Sequence, residues 1–175
     1  MCRDGRYSDN SMNRDPETPF PPGVLQSLRG VHHASLYATK FYDSRFMQRL
    51  EYPLNHCFQN LKKLHGSVKN ILAEVVFTAT AESRSRQNLP DEAFDIALRY
   101  QSLALLSPSP GLDLIQYLVA TEHRQKRLQA GALDTLNNAP LKIALSAQTA
   151  LLQVTIDRLT ALSSRDRPAQ HRARR

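Results

Sequence analysis

The stretch that decides the fold is LDLIQYLVATEHRQKRL, residues 112–128. Its first half sets Leu114, Ile115, Leu118 and Val119 on one helical face, and the apolar spacing then lapses until Leu128. A helix that begins apolar and then acquires Glu122, His123, Arg124, Lys126 and Arg127 reads as one that leaves the core. On pattern alone its later turns face water or an anion.

Helical spacing extends outward from this stretch on both sides. Downstream, Asn137, Asn138 and Pro140 form a start signal, after which Leu141, Leu145, Leu152, Ile156 and Leu159 recur at periods of three, four and seven. Upstream, SPSPG at 107–111 is a breaker, and Pro90-Asp91-Glu92 suits the first turn of a helix that carries Phe94, Ile96, Ala97, Leu98, Leu103 and Leu106 inward. Further back, VVFTAT (75–80) favours strand by propensity, but its neighbours ILAE and AESRSRQ are helical, so the spacing predicts a helix from Val68 to about Arg84.

Gly66 reads as a stop before that helix, with Ser67 as a cap. The preceding run places Leu54, Phe58, Leu61 and Leu64 on one stripe, and Pro53 predicts a kink or break near Tyr52. Val24, Leu25, Leu28, Val31 and Leu36, followed by Phe41, Phe46 and Leu50, give one or two helices more. No strand–turn–strand signal competes. The expectation is an all-α bundle of five or six helices over 24–162, flanked by a disordered N-terminal arm at 1–23 and a basic disordered tail at 163–175.

Composition narrows the function classes. The chain has 175 residues, a net charge of +7 and two cysteines. Its pI is about 9.7 and its mean hydropathy −0.45. There is no run of eighteen apolar residues and no apolar leader core, so the expected protein is a soluble, cytoplasmic monomer with no membrane contact. Cys2 and Cys57 are expected as free thiols.

The motifs for common catalytic sites are missing. No phosphate-cradling glycine loop, zinc-binding H-E-x-x-H or C-x-x-C, or nucleophile elbow occurs. The adjacent His32 and His33 point about 100° apart on a helix, which is wrong for a shared metal. His56 and Cys57 read as a half-buried structural pair, and Glu74 and Glu82 as a solvated face. The chain is expected to be non-catalytic, with no metal and no cofactor.

The cations carry the positive side of the reading. Arg124, Lys126 and Arg127 span little more than one turn, with Glu122 the nearest neutralising acid. One reading is a solvated helix end, favourable with the dipole by about 0.3–1 kcal/mol per cation. The other is a phosphate or carboxylate site that also draws on Arg158, brought near by an antiparallel last helix. Tyr37, Phe41, Tyr42, Tyr52, Phe58, Tyr100 and Tyr117 are expected mainly to fill the core.

Three stretches taken in order resemble one family. YDSRFM (42–47), ILAEVV (71–76) with Glu82 and Arg84 after it, and LVATEHRQKRL (118–128) are similar to motifs of primosomal replication protein N″, a small basic all-helical bacterial family. Tyr42, Asp43, Phe46 and Met47 fill its first pattern, Leu72, Ala73 and Glu74 its second, and Leu118, Lys126, Arg127 and Leu128 its third. Thr121, Arg124 and Gln125 depart from the third pattern, where the family writes His, Tyr and Glu.

The resemblance implies a non-catalytic replication-restart factor. Its partners would be single-stranded DNA, the acidic tail of single-strand DNA-binding protein and the replicative helicase it helps to load. Arg127 carries over directly, Lys126 stands where Arg is usual, and Arg124 and Arg158 complete the expected site for DNA phosphates or an acidic peptide. The alternative is a helical protein–protein adaptor or regulator with no nucleic-acid role, in which an apolar groove holds a partner.

Overall fold

A computed structural model of the chain describes residues 20–44, 51–82, 89–106 and 112–165. These form five helices and no strand: α1 (Pro22–Tyr42), α2 (Tyr52–Glu82), α3 (Asp91–Leu106), α4 (Leu112–Thr135) and α5 (Ala139–Arg165). The all-α bundle expected from the spacing is the observed architecture. The rest of the arm (1–19), most of the tail (166–175) and the SPSPG breaker lie outside the described residues.

Helix boundaries follow the local chemistry, with three differences from the expectation. Pro22 and Gly23, assigned to the arm, begin α1, because a proline at the first helical position gives up an N–H that has no intrahelical partner anyway. Pro53 falls in the first turn of α2, which begins at Tyr52, so the break expected near Tyr52 is a helix start. Gly66 does not stop α2. Leu61, Leu64, Val68 and Leu72 are buried on either side of it, and each such burial is worth about 1.5–3 kcal/mol against a glycine penalty of about 1 kcal/mol.

The start of α5 obeys the sequence signal: Leu141 N–H donates to Asn138 Oδ1 at 3.0 Å, a side-chain cap. The helix then runs past position 162 to Arg165.

Helices α1, α2, α5 and α4 contact one another in that cyclic order, and α3 lies in the groove between α1 and α4. That groove admits α3 closely at Gly30, where a Cβ would stand 3.0 Å from Pro90 and 3.2 Å from the Ala93 methyl. One core runs through the ring, including Leu28, Tyr42, Leu61, Leu72, Ile96, Tyr100, Leu118, Leu136, Leu145, Leu152 and Ile156. The opposite edge of the ring, the groove between α2 and α5, has no helix over it among the described residues.

Candidate functional site: a cation-flanked notch between α2 and α5

Helix α4 does not leave the core at Thr121. Thr121, Glu122, Gln125 and Gln129 are all buried, so the inward face continues as a polar stripe where the apolar spacing lapses. Glu122 does not neutralise the neighbouring cations, because its carboxylate is drawn inward by other partners. Oε1 accepts the Tyr42 hydroxyl at 2.5 Å and the Tyr100 hydroxyl at 2.7 Å, and Oε2 lies 3.0 Å from His65 Nε2. Gln125 donates to Ser35 Oγ at 3.0 Å.

Four helices thus meet at one carboxylate. Burial, reinforced by the Glu122 charge, pushes both tyrosine hydroxyls well above their ordinary pKa. The node fastens the fold and has no opening for a substrate, since all four side chains are closed to solvent.

The cations of α4 sit on its outer side and diverge. Arg124 Nη1 donates to Asp95 Oδ2 of α3 at 2.6 Å, and Arg99 Nε reaches the same oxygen at 3.0 Å. Lys126 Nζ donates to Gln153 Oε1 of α5 at 2.5 Å, and the same glutamine donates to Asp157 at 2.6 Å. Arg127 is exposed. Arg158 sits on the other flank of α5 and faces α2. The four cations are not brought together: three helices separate them into distinct directions.

Arg158 has a different companion, Lys63 of α2. They border an open notch of about 470 Å³ whose lining includes Asn60, Ser67, Gln148, Leu151, Val154 and Thr155. The helices position these side chains by register. Asn60, Lys63 and Ser67 recur at helical spacing along one side of α2, while Leu151, Val154 and Arg158 recur along the facing side of α5.

Leu151 and Val154 are exposed although apolar. Neither Lys63 nor Arg158 has an acidic partner among the described residues. Two unpaired cations beside exposed aliphatic side chains suit an anionic segment that carries an apolar group. Lys63 was visible in the sequence only as one of a lysine pair beside a stripe. What singles it out is its placement opposite Arg158, 95 positions along the chain, which no local pattern encodes.

The His56–Cys57 pair is divided: Cys57 is buried and His56 is exposed, bonded to Asn60 and stacked on Tyr52. Burial raises the Cys57 thiol pKa despite the nearby Arg158 charge, the opposite of what a nucleophile needs. Among the described residues no cluster of His, Cys, Asp or Glu is arranged to hold a metal, and no helix is long and apolar enough to cross a membrane. Of the tyrosines and phenylalanines expected inside, Phe41, Tyr42, Phe58 and Tyr100 are buried, while Tyr52 and Tyr117 are exposed. Phe46, Met47 and the Glu82 and Arg84 side chains lie outside the described set. Compared with protein-family models, with curated proteins and with solved structures, the chain has no match.

Proposed function

We propose that this chain is a non-catalytic binding protein whose α2/α5 notch receives an acidic peptide segment bearing an apolar side chain. The observation that carries the reading is the pairing of Lys63 and Arg158, from two helices and without acidic partners among the described residues, around exposed Leu151 and Val154. Charge-assisted bonds to the two cations would orient the segment, and the aliphatic floor would take its apolar group.

Within the replication-restart reading, that segment is the acidic tail of single-strand DNA-binding protein. The protein would gather at single-stranded DNA coated by that partner and help load the replicative helicase there. Direct contact with DNA phosphates would draw on exposed Arg127, since Arg124 and Lys126 are engaged within the bundle. The adaptor reading shares the notch and differs in the partner, and the exposed apolar side chains of α5 favour it as well.

Fluorescence polarisation tests the reading with two labelled probes, the acidic tail peptide of a bacterial single-strand DNA-binding protein and a single-stranded oligonucleotide. The peptide should bind at low salt, weaken as salt rises, and lose at least tenfold in affinity to Lys63→Glu or Arg158→Glu. Peptide binding that ignores both substitutions would remove the notch from the proposal. Binding of neither probe would remove the restart role.

A further inference from the structure

Helices α3 and α5 share an unusual property: each is apolar on two faces. Helix α3 buries Ala93, Ile96, Ala97, Tyr100 and Leu103 against its own bundle, yet Phe94 is 63%, Leu98 50% and Leu105 87% exposed. The sequence spacing sent Phe94 and Leu98 inward with the rest, but at about 100° per residue they fall on the opposite side of the helix. Helix α5 buries Leu145, Leu152, Ile156 and Leu159, yet Ile143 is 71%, Leu151 53% and Val154 48% exposed.

The two outer stripes match. Phe94 to Leu105 and Ile143 to Val154 each extend about 16 Å along their helices. Their charged borders are opposite in sign. The α5 stripe runs into the notch between Lys63 and Arg158, while the α3 stripe is bordered by Asp91, which has no ion pair among the described residues, and by Asp95. Arg99 and Arg124 both bond Oδ2 of Asp95 and offset its charge, so the acidic border open to a partner is Asp91.

Their positions match too. Helix α3 fills the groove on one edge of the α1–α2–α5–α4 ring, and the α2/α5 groove is the uncovered one on the opposite edge. A groove between two helices that has the chemistry for a third is suited to a helix of this type.

We infer that the outer face of α3 from one copy docks in the α2/α5 groove of another copy, so that the protein self-associates head to tail. Because donor and acceptor faces are different surfaces on opposite edges, each copy in a pair keeps one face free, and association continues beyond the dimer, into a ring where the rotation between copies closes and an open chain where it does not. The chain's own C-terminal segment is a poorer occupant, since Arg167, Arg172, Arg174 and Arg175 would meet Lys63 and Arg158 with like charge. The inference goes beyond acidic-peptide capture while sharing its notch, so peptide and second copy would compete for one groove.

Sedimentation velocity on the full chain over a wide concentration range tests it, with circular dichroism as a check that each variant keeps its helices. The wild type should increase in mean mass with concentration, without a plateau at dimer, and less so at high salt. Leu98→Lys removes the donor face and Val154→Asn the acceptor face, so each variant alone should stay monomeric. Mixed in equal amounts they should form a one-to-one pair, because each retains the face the other lacks.

Phe94→Lys and Leu151→Asn provide a second pair should either first variant fail to fold. A wild type that is monomeric throughout overturns the inference, as does association that survives both substitutions or a mixture that fails to pair. If self-association fails while the acidic peptide still binds in an Arg158-dependent way, the proposed function stands and this inference alone is lost.

Discussion

His65 and Glu122 face each other across the centre of the bundle, Nε2 to Oε2 at 3.0 Å, with neither side chain open to solvent. Tyr42 and Tyr100 donate to the other carboxylate oxygen, so a single side chain of α4 ties together α1, α2 and α3. Truncating it would leave three buried polar groups without their partner. Glu122→Ala is expected to destabilise the fold by about 3–5 kcal/mol, the usual cost of breaking a buried pair by removing one partner. Glu122→Gln keeps an oxygen for both tyrosines and should cost clearly less. Urea unfolding of the two variants measures the difference, and a loss below about 1 kcal/mol for the alanine variant would contradict the role assigned to the node.

The same node predicts sensitivity to alkali. Tyr42 and Tyr100 have hydroxyl pKa values raised by burial and by the Glu122 charge, so in the folded state both stay protonated where an unfolded chain ionises them. The folded pKa lies above the unfolded one. Stability from these groups is therefore fully present below about pH 10 and is lost as pH rises beyond it, by about 1.4 kcal/mol per pH unit for each tyrosine. Monitored together, tyrosinate absorbance and helical circular dichroism should show two hydroxyls that ionise only as the helices melt. If all tyrosines ionise while helicity is intact, the buried geometry is wrong.

The helical bundle was legible because the inward positions of α1, α2 and α5 are apolar at helical spacing, and Asn138 announces the last helix in its own side chain. The polar part of the inward face of α4 was not. Glu122 and Gln125 carry the same polar signature whether they face water or a buried hydroxyl, and only the tertiary placement of Tyr42, Ser35, His65 and Tyr100 separates the cases. The site was obscured for a related reason. Adjacent cations such as Arg124, Lys126 and Arg127 stand out in sequence, yet on a helix they diverge, whereas Lys63 and Arg158 converge through packing from distant segments.

Two glycines in helices should respond to alanine with opposite signs. At Gly30 a methyl would come within 3.0 Å of Pro90 ring carbons and 3.2 Å of Ala93, so α1 and α3 must separate. Gly30→Ala is expected to cost about 1–3 kcal/mol, the range for overpacking a tight contact. At Gly131 an added Cβ meets nothing within 4 Å, and the position lies inside α4. There alanine restores helix propensity and should stabilise by about 0.4–1 kcal/mol. Thermal or urea midpoints of the two variants should move in opposite directions, and a shift of the same sign in both would count against the close approach of α1 and α3.

Arg124 and Arg158 provide the sharpest contrast between sequence prominence and structural availability. Arg124 shares Asp95 Oδ2 with Arg99, so its guanidinium is held against α3. Arg158 borders the notch with no acid beside it among the described residues. Arg158→Ala should therefore weaken acidic-peptide binding several-fold and leave stability almost unchanged, as expected for an exposed cation. Arg124→Ala should do the reverse: peptide affinity unchanged within twofold, with a stability loss of up to about 1 kcal/mol from the part-exposed ion pair. Peptide titrations and urea unfolding on the same two variants give four numbers. If Arg124→Ala is the substitution that abolishes binding, the recognition surface belongs to the outer face of α4 and the notch is a bystander.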